Sequence, residues 1–306
     1  MTSIVKENTT LLGFICKLNP GISNQKAKNI IKFSEIICDG KKIKAIPSMP
    51  LLQGQKVEIN KPDDSAKSLH PNKQNPFIIK YEDNNLIVAV KPVGLLTSKE
   101  SFQKGISFFK VLEKYLSERD KKKTKIYVVH RLDREVEGLV IFAKSEEVKR
   151  IFQENWKNVT KKYICITENK PAKEHDFVEN WLIETKEQKS VITHQQTYAA
   201  KFAKTEYKFL KTIGKYHLLE VKLHTGRKNQ IRAHMEFINC PIVGDRKYGA
   251  DCTFNRQIRL ASFFLEFDHP ISGEKITLEY TPKNQFFKPK ENAHEHYKIS
   301  FHFEEN

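Results

Sequence analysis

The chain has 306 residues, 39% hydrophobic and 29% charged, which suits one full-sized domain with a core plus a smaller one. Its 53 Lys and Arg against 37 Asp and Glu leave a formal charge of +16, so nucleic acid is the leading partner class. The five cysteines stand singly with no Cys-x-x-Cys pair, the first residues lack the basic and apolar blocks of a signal peptide, and no apolar run nears the ~20 residues of a membrane helix; a disulfide frame, a zinc site and a membrane span are excluded, and a cytoplasmic protein is expected.

In chain order, "TLLGFICKL" carries apolar residues at helical spacing. After the Pro20–Gly21 break a second helix starts at Ser23, with Ala27, Ile30 and Ile31 on its apolar face and Lys26, Lys28 and Lys32 largely off it. "IICDGKKIKA" is a hairpin around Asp39–Gly40, and "LLQGQKVEI" supplies a turn and a further strand. The polar, proline-punctuated stretch that follows reads as a linker, which sets a first unit at 1–62, a linker at 63–75 and a larger domain at 76–306.

That larger domain begins with two short strands in "FIIKYEDNNLIVAVKP". An amphipathic helix with a basic end follows in "GISFFKVLEKYLSERDKKKTK". "GLVIFAK" is a strand, and Ser145 caps the next helix with Glu146 and Glu147 in its first turn; Val148, Ile151, Phe152 and Trp156 are expected on one face. "KKYICIT", "AAKFAKTEYKFLKTI" and "YHLLEVKLHT" read as strands, "NQIRAHMEF" as a helix, and "FFLEFDHP…GEKITLEY" as a closing hairpin. Many strands with interspersed helices and hairpin links predict an α+β fold on a mixed, mostly antiparallel sheet.

Only nine of the 53 basic residues are arginines, and four of them, Arg131, Arg134, Arg227 and Arg232, fall in two short stretches. Arginine at chosen places in a lysine-rich chain suggests planar, bidentate work on carboxylate, phosphate or base edges. The two stretches lie within "VVHRLDREVEGLVIFAK" and "LHTGRKNQIRAHMEFINCPIVGDRKYG", the second of which also carries Arg246. With "YEDNNLIVAVKPVGLLT" and "KKYICI" they make four motifs in order across residues 81–249. Together they resemble the RluA-type RNA pseudouridine synthases, and the likeness extends over about residues 76–285.

The resemblance implies an isomerase that breaks the C–N glycosidic bond of a uridine, turns the base and rejoins it through carbon, with no cofactor and no metal. It implies Asp133 as the catalytic carboxylate, either nucleophile at the anomeric carbon or base at C2′. Arg232 would keep that carboxylate ionised, since an opposite charge in hydrogen-bonding range favours the charged form. Tyr163 carries over as the ring against the target uracil, or as the base at C5. Arg131 would fill the gap left by the extruded base, because a stacked, paired uridine hides its glycosidic bond. Leu132 would wedge or pack below it, and His130 would orient the loop. The Lys91–Pro92 turn and Arg227 would shape or line the pocket, and Arg134 joins Lys26, Lys28 and Lys32 as an RNA contact.

The chain departs from the family pattern at Val136 and Glu137, at Asn229 and at Ser262. Glu137 sets a second carboxylate four residues from Asp133, which would disfavour the latter's charge if the two face each other. The front unit, through "ISNQKAKNIIKFSEIICDGKKIK", resembles the alpha-L RNA-binding domain of the ribosomal-protein S-four kind, whose helix can grip phosphates by counterion release. The expected substrate is therefore structured RNA, ribosomal RNA of the large subunit first and transfer RNA second. The alternative is a non-catalytic RNA-binding or ribosome-assembly factor with the same fold. A sugar-cleaving hydrolase would need two carboxylates flanking the bond, and only Glu137 is at hand for the second. Nothing in the sequence speaks to oligomeric state.

Overall fold

The computed structural model describes residues 2–43, 45–60, 77–98, 106–193, 196–251 and 258–288. The expected linker at 63–75 lies outside them, as does Cys252. The front segment holds strands β1 (Thr2–Ile4) and β2 (Thr9–Thr10), helices α1 (Leu11–Leu18) and α2 (Asn24–Phe33), then β3 (Glu35–Cys38), β4 (Lys41–Lys42), β5 (Pro50–Leu51) and β6 (Lys56–Asn60). β1, β6, β3 and β4 form a four-stranded sheet in that order, and β2 pairs with β5. Thr10 and Ser23 cap the two helices by accepting from the Gly13 and Lys26 amides, each cap stabilising its helix by ~1 kcal/mol. Ala27 and Ile31 turn inward with Leu11, Phe14 and Ile15, while Lys26 and Lys28 are exposed. Lys32 lies in α2, but its side chain is outside what the structure describes.

The second segment begins with β7 (Ile79–Glu82), β8 (Leu86–Lys91), α3 (Phe108–Arg119), β9 (Tyr127–Val128), β10 (Glu137–Ala143) and α4 (Glu146–Glu154). It continues through β11 (Thr160–Thr167), β12 (His175–Glu184), β13 (Ser190–Thr193), β14 (Lys201–Ile213) and β15 (Tyr216–Leu223). It closes with α5 (Gln230–Phe237), β16 (Leu260–Asp268), β17 (Lys275–Glu279) and α6 (Asn284–Phe287). Among the described residues the large sheet runs β13-β12-β14-β15-β11-β16-β10-β8-β7, with β17 paired to β16 and β9 to β10. Its pairings are antiparallel except for a short parallel seam, where Glu137 and Gly138 of β10 meet Ala261 and Ser262 of β16. The mixed, mostly antiparallel α+β architecture is the one the sequence predicts.

β10 has apolar neighbours on both faces, which is why "LVIFA" is unbroken rather than alternating. Val140 and Phe142 pack with Phe108 and Leu112 of α3, and on the same face of the sheet lie Tyr163, Ile231 and Met235. Leu139 and Ile141 pack with Val148, Ile151 and Phe152 of α4. Each such side chain, fully buried, contributes about 1.5–3 kcal/mol. Gly138 permits the seam: its φ is +122°, and a Cβ there would lie 2.2 Å from the Ser262 carbonyl oxygen.

Two expectations need correction, and two strands add to them. Trp156 is not on α4 but in the 3-10 turn Trp156–Asn158 beyond it, though it still packs against that helix's core. The basic end of α3 is a turn, with Lys121 at φ 50°. β12 and β13 were not anticipated. Val178 and Leu182, the buried residues of β12, stand four apart among charged neighbours, a spacing that hides a strand's period of two. Cys38, Cys165 and Cys240 are buried free thiols, and Cys16 is free and part-buried.

Candidate active site

The loop 129–136 carries Asp133 and enters β10 at the parallel seam with β16. The turn after β8 cradles it. Thr97 Oγ1 accepts from the Leu132 amide and donates to the Leu132 carbonyl, both at 2.9 Å. The Gly94 amide donates to the Arg134 carbonyl at 2.8 Å, and Arg134 Nε donates back to the Gly94 carbonyl at 3.0 Å. Lys91 Nζ, fully buried, donates to the carbonyls of Pro92, Leu95 and, at 3.4 Å, Arg134. Burial pushes its ammonium down to about 7, against the pull of Asp133, Glu135 and Glu137. Lys91 thus holds the turn and the loop together from beneath.

Asp133 is 30% exposed at the side chain. Its Oδ2 accepts from Arg232 Nη1 at 3.0 Å and from Asn229 Nδ2 at 2.5 Å. Its Oδ1 has no hydrogen-bond partner among the described residues. Arg232 reaches it from the buried face of α5, but its two-pronged bond goes elsewhere: Nε and Nη2 grip Asp245 at 2.7 and 2.8 Å. Burial alone would push the guanidinium down, yet hydrogen bonding and charge from Asp245 and then Asp133 hold it above its ordinary range. The guanidinium also lies over the Tyr248 ring at 4.8 Å. Sequence reasoning missed Asp245 and Tyr248, although both stand in the quoted "GDRKYG". It treated Asn229 only as a departure.

Tyr163 of β11 is 7% exposed on the same core face. Burial raises its phenol well above the ordinary range; the Ser262 hydroxyl opposes the rise and the Asp133 charge adds to it. A phenol so held is neutral at rest, which suits a packing ring better than a resting base. Leu132 is buried in that core too, so it packs below the loop and does not project as a wedge. Arg131 is exposed and makes no hydrogen bond or ion pair among the described residues. His130 accepts at Nε2 from the Ile141 amide at 3.1 Å and stacks on Trp156 at 4.9 Å. Burial, then the nearby Lys161, pushes it down to about 3, so it stays neutral and free to accept that bond.

Arg227 is exposed, its Nε donating to the Phe202 carbonyl at 2.9 Å. Arg134 is exposed but tied to Gly94. Glu137 does not face Asp133: it turns to the Tyr280 hydroxyl at 3.2 Å, and burial raises its carboxyl. Val136 is core. Among the described residues no cluster of His, Cys, Asp or Glu is placed to hold a metal ion, and no helix is long and apolar enough to cross a membrane.

A carboxylate fixed through one oxygen, with an arginine behind it, keeps its other oxygen open for nucleophilic or basic chemistry. By its sequence the chain belongs to the RNA pseudouridylate synthase family, whose model matches residues 85–237, and it is an isomerase of uridine in RNA. It is 32% identical over 237 residues to ribosomal large subunit pseudouridine synthase C of Rickettsia felis, covering 76% of this chain and 75% of that one. It is 29% identical over 292 residues to ribosomal large subunit pseudouridine synthase D of Borreliella burgdorferi, covering 91% and 88%. Among solved structures, human RNA pseudouridylate synthase domain containing 4 shares the fold at TM-score 0.56 and 24% identity, covering 68% of this chain and 89% of that one.

Proposed function

We propose that this isomerase modifies specific uridines of large-subunit ribosomal RNA in the cytoplasm, with Asp133 as the reacting carboxylate. The observation that carries the reading is the clamp on Asp133: Oδ2 held by Arg232 and Asn229, Oδ1 without a partner among the described residues, and the side chain part-exposed. An open carboxylate oxygen is what attack at the anomeric carbon or proton removal at C2′ requires. Arg131 stands two positions before it, exposed and with no hydrogen bond or ion pair among the described residues, suited to entering a stack as a base leaves it. Tyr163 supplies the ring against the uracil. The names of the relatives favour large-subunit ribosomal RNA over transfer RNA. The first sixty-two residues act as a separate RNA grip, supported by exposed Lys26 and Lys28 on a helix whose opposite face is core.

The test is tritium release from C5-labelled large-subunit ribosomal RNA. Asp133→Asn is nearly isosteric but is neither nucleophile nor base, so release should stop while RNA affinity holds or rises slightly. Arg131→Ala should slow release, and an already unstacked uridine should recover part of the rate. Wild-type turnover in Asp133→Asn would sink the assignment, and a silent wild type would remove the substrate.

A further inference from the structure

We propose that Asn229 and Tyr248 form a positioning relay: Tyr248 fixes the Asn229 amide, and that amide aims the Asp133 carboxylate. The proposal rests on Asp133 being the reacting group.

Asn229 occupies the N-cap of α5 in the left-handed conformation, at φ 50° and ψ 23°. An asparagine at an N-cap usually turns its side chain onto the free amides of the first turn, which stabilises the helix by ~1 kcal/mol. Asn229 makes no such bond. Its backbone carbonyl still accepts from the Ala233 amide at 3.0 Å, so the helix starts there, but the side chain points away to Asp133. The local stabilisation is forgone in favour of a contact across 96 residues of sequence.

The direction of each hydrogen bond is fixed by what its neighbour can offer. The Ser190 amide has only a proton to give, and it gives it to Tyr248 Oη at 2.9 Å. The phenol hydrogen is thereby directed elsewhere, and Asn229 Oδ1 receives it at 3.2 Å. With Oδ1 committed, Nδ2 faces Asp133 Oδ2, and an ionised carboxylate can only accept. Reversing the amide would set oxygen against oxygen at 2.5 Å. Tyr248 is fully buried, and burial pushes its phenol up to about 12, so it remains a donor at any working pH. The edge strand β13 braces the same corner, since Ser190 Oγ donates to the Lys228 carbonyl at 2.6 Å.

The two donors on Oδ2 share one support. Arg232 lies over the ring of Tyr248, and Asn229 is bonded to its hydroxyl. A terminal carboxylate torsion is broad, so a single hydrogen bond leaves the group free to swing. Two donors converging on one oxygen restrict that swing and hold the other oxygen in a constant direction. The relay therefore acts on the geometry of the reacting oxygen and leaves the RNA-binding surface alone.

The experiment measures kcat, KM and melting temperature for Asn229→Gly, Asn229→Asp, Tyr248→Phe and the Asn229→Gly/Tyr248→Phe double variant, on C5-tritiated large-subunit ribosomal RNA. Glycine suits the left-handed backbone, so Asn229→Gly should fold; it should lose on the order of 10- to 100-fold in kcat, the range of one charge-assisted hydrogen bond, with KM unchanged. Aspartate also tolerates φ near +50°, yet it sets a second carboxylate against the first and should be slower than glycine. Tyr248→Phe keeps the ring under Arg232 and should lose a smaller factor, and the double variant should match Asn229→Gly alone because the phenol acts through the amide. Asn229→Asp faster than Asn229→Gly would overturn the relay and leave Asn229 a backbone residue. Additive losses in the double variant, or kcat falling only in step with melting temperature, would overturn it as well. Full activity in Asp133→Asn would instead remove the reading on which the relay rests.

Discussion

Replacing Arg232 by lysine keeps the charge and removes the geometry. Arg232 is only 7% exposed at the side chain and directs three N–H groups at two carboxylates: Nε and Nη2 to Asp245, Nη1 to Asp133. One ammonium cannot meet both. If lysine keeps a single bond to Asp245, whose side chain is 1% exposed, two charge-assisted hydrogen bonds vanish. At about 1.5–3 kcal/mol each the loss begins near 3 kcal/mol, in the range for breaking a buried ion pair. At roughly 2–4 °C per kcal/mol for a chain of this size, the melting temperature should fall by about 6–12 °C. Asp133 loses one of its two donors, so kcat should drop on the order of 10-fold or more while RNA affinity barely moves. Thermal unfolding, tritium release and RNA binding on one preparation check all three. An unmoved melting temperature would contradict the clamp, and equal losses of kcat and affinity would make Arg232 a binding residue.

Removing residues 1–62 should weaken RNA binding and lower the slope of log affinity against log salt by about 2, one unit for each of roughly two phosphates held by α2; an unchanged slope would rule the module out as a grip. Gly138→Ala should cost more than about 3 kcal/mol, since its Cβ would meet the Ser262 backbone at 2.2 Å in a left-handed conformation, and an alanine variant melting like wild type would disprove the close seam. His234 is fully buried with neither ring nitrogen bonded among the described residues, and burial lowers it from 6.5 to about 4. Below pH 6.5 the unfolded chain takes up a proton that the folded chain refuses, so stability falls toward pH 4 by up to about 1.4 kcal/mol per unit. His234→Leu should flatten that slope in denaturant titrations at pH 4.5, 5.5 and 7; an unchanged slope would place the acid sensitivity elsewhere, with His130 next in line.

The sequence by itself determined the fold class, the helices at Ser23 and Ser145 and the hairpin at Asp39–Gly40, and its resemblance to the family implied the pairing of Arg232 with Asp133. Those features are local or carried by motifs: caps, turn residues and an unbroken apolar strand state their structure within a few positions. What it could not state were the partners of that pair. Asp245 takes the arginine's fork, Asn229 takes the second place on Asp133, and Glu137, four residues from the carboxylate, points away to Tyr280. Each depends on where α5, the β13 edge and the parallel seam of β10 with β16 converge, a matter of long-range register. β12 escaped notice for the same reason: its two buried residues are spaced like a helix, and only pairing with β13 and β14 makes it a strand. Which atoms meet across 96 residues is decided by the packing of the sheet, because no residue type encodes the direction its hydrogen bond will take until its neighbour's is fixed.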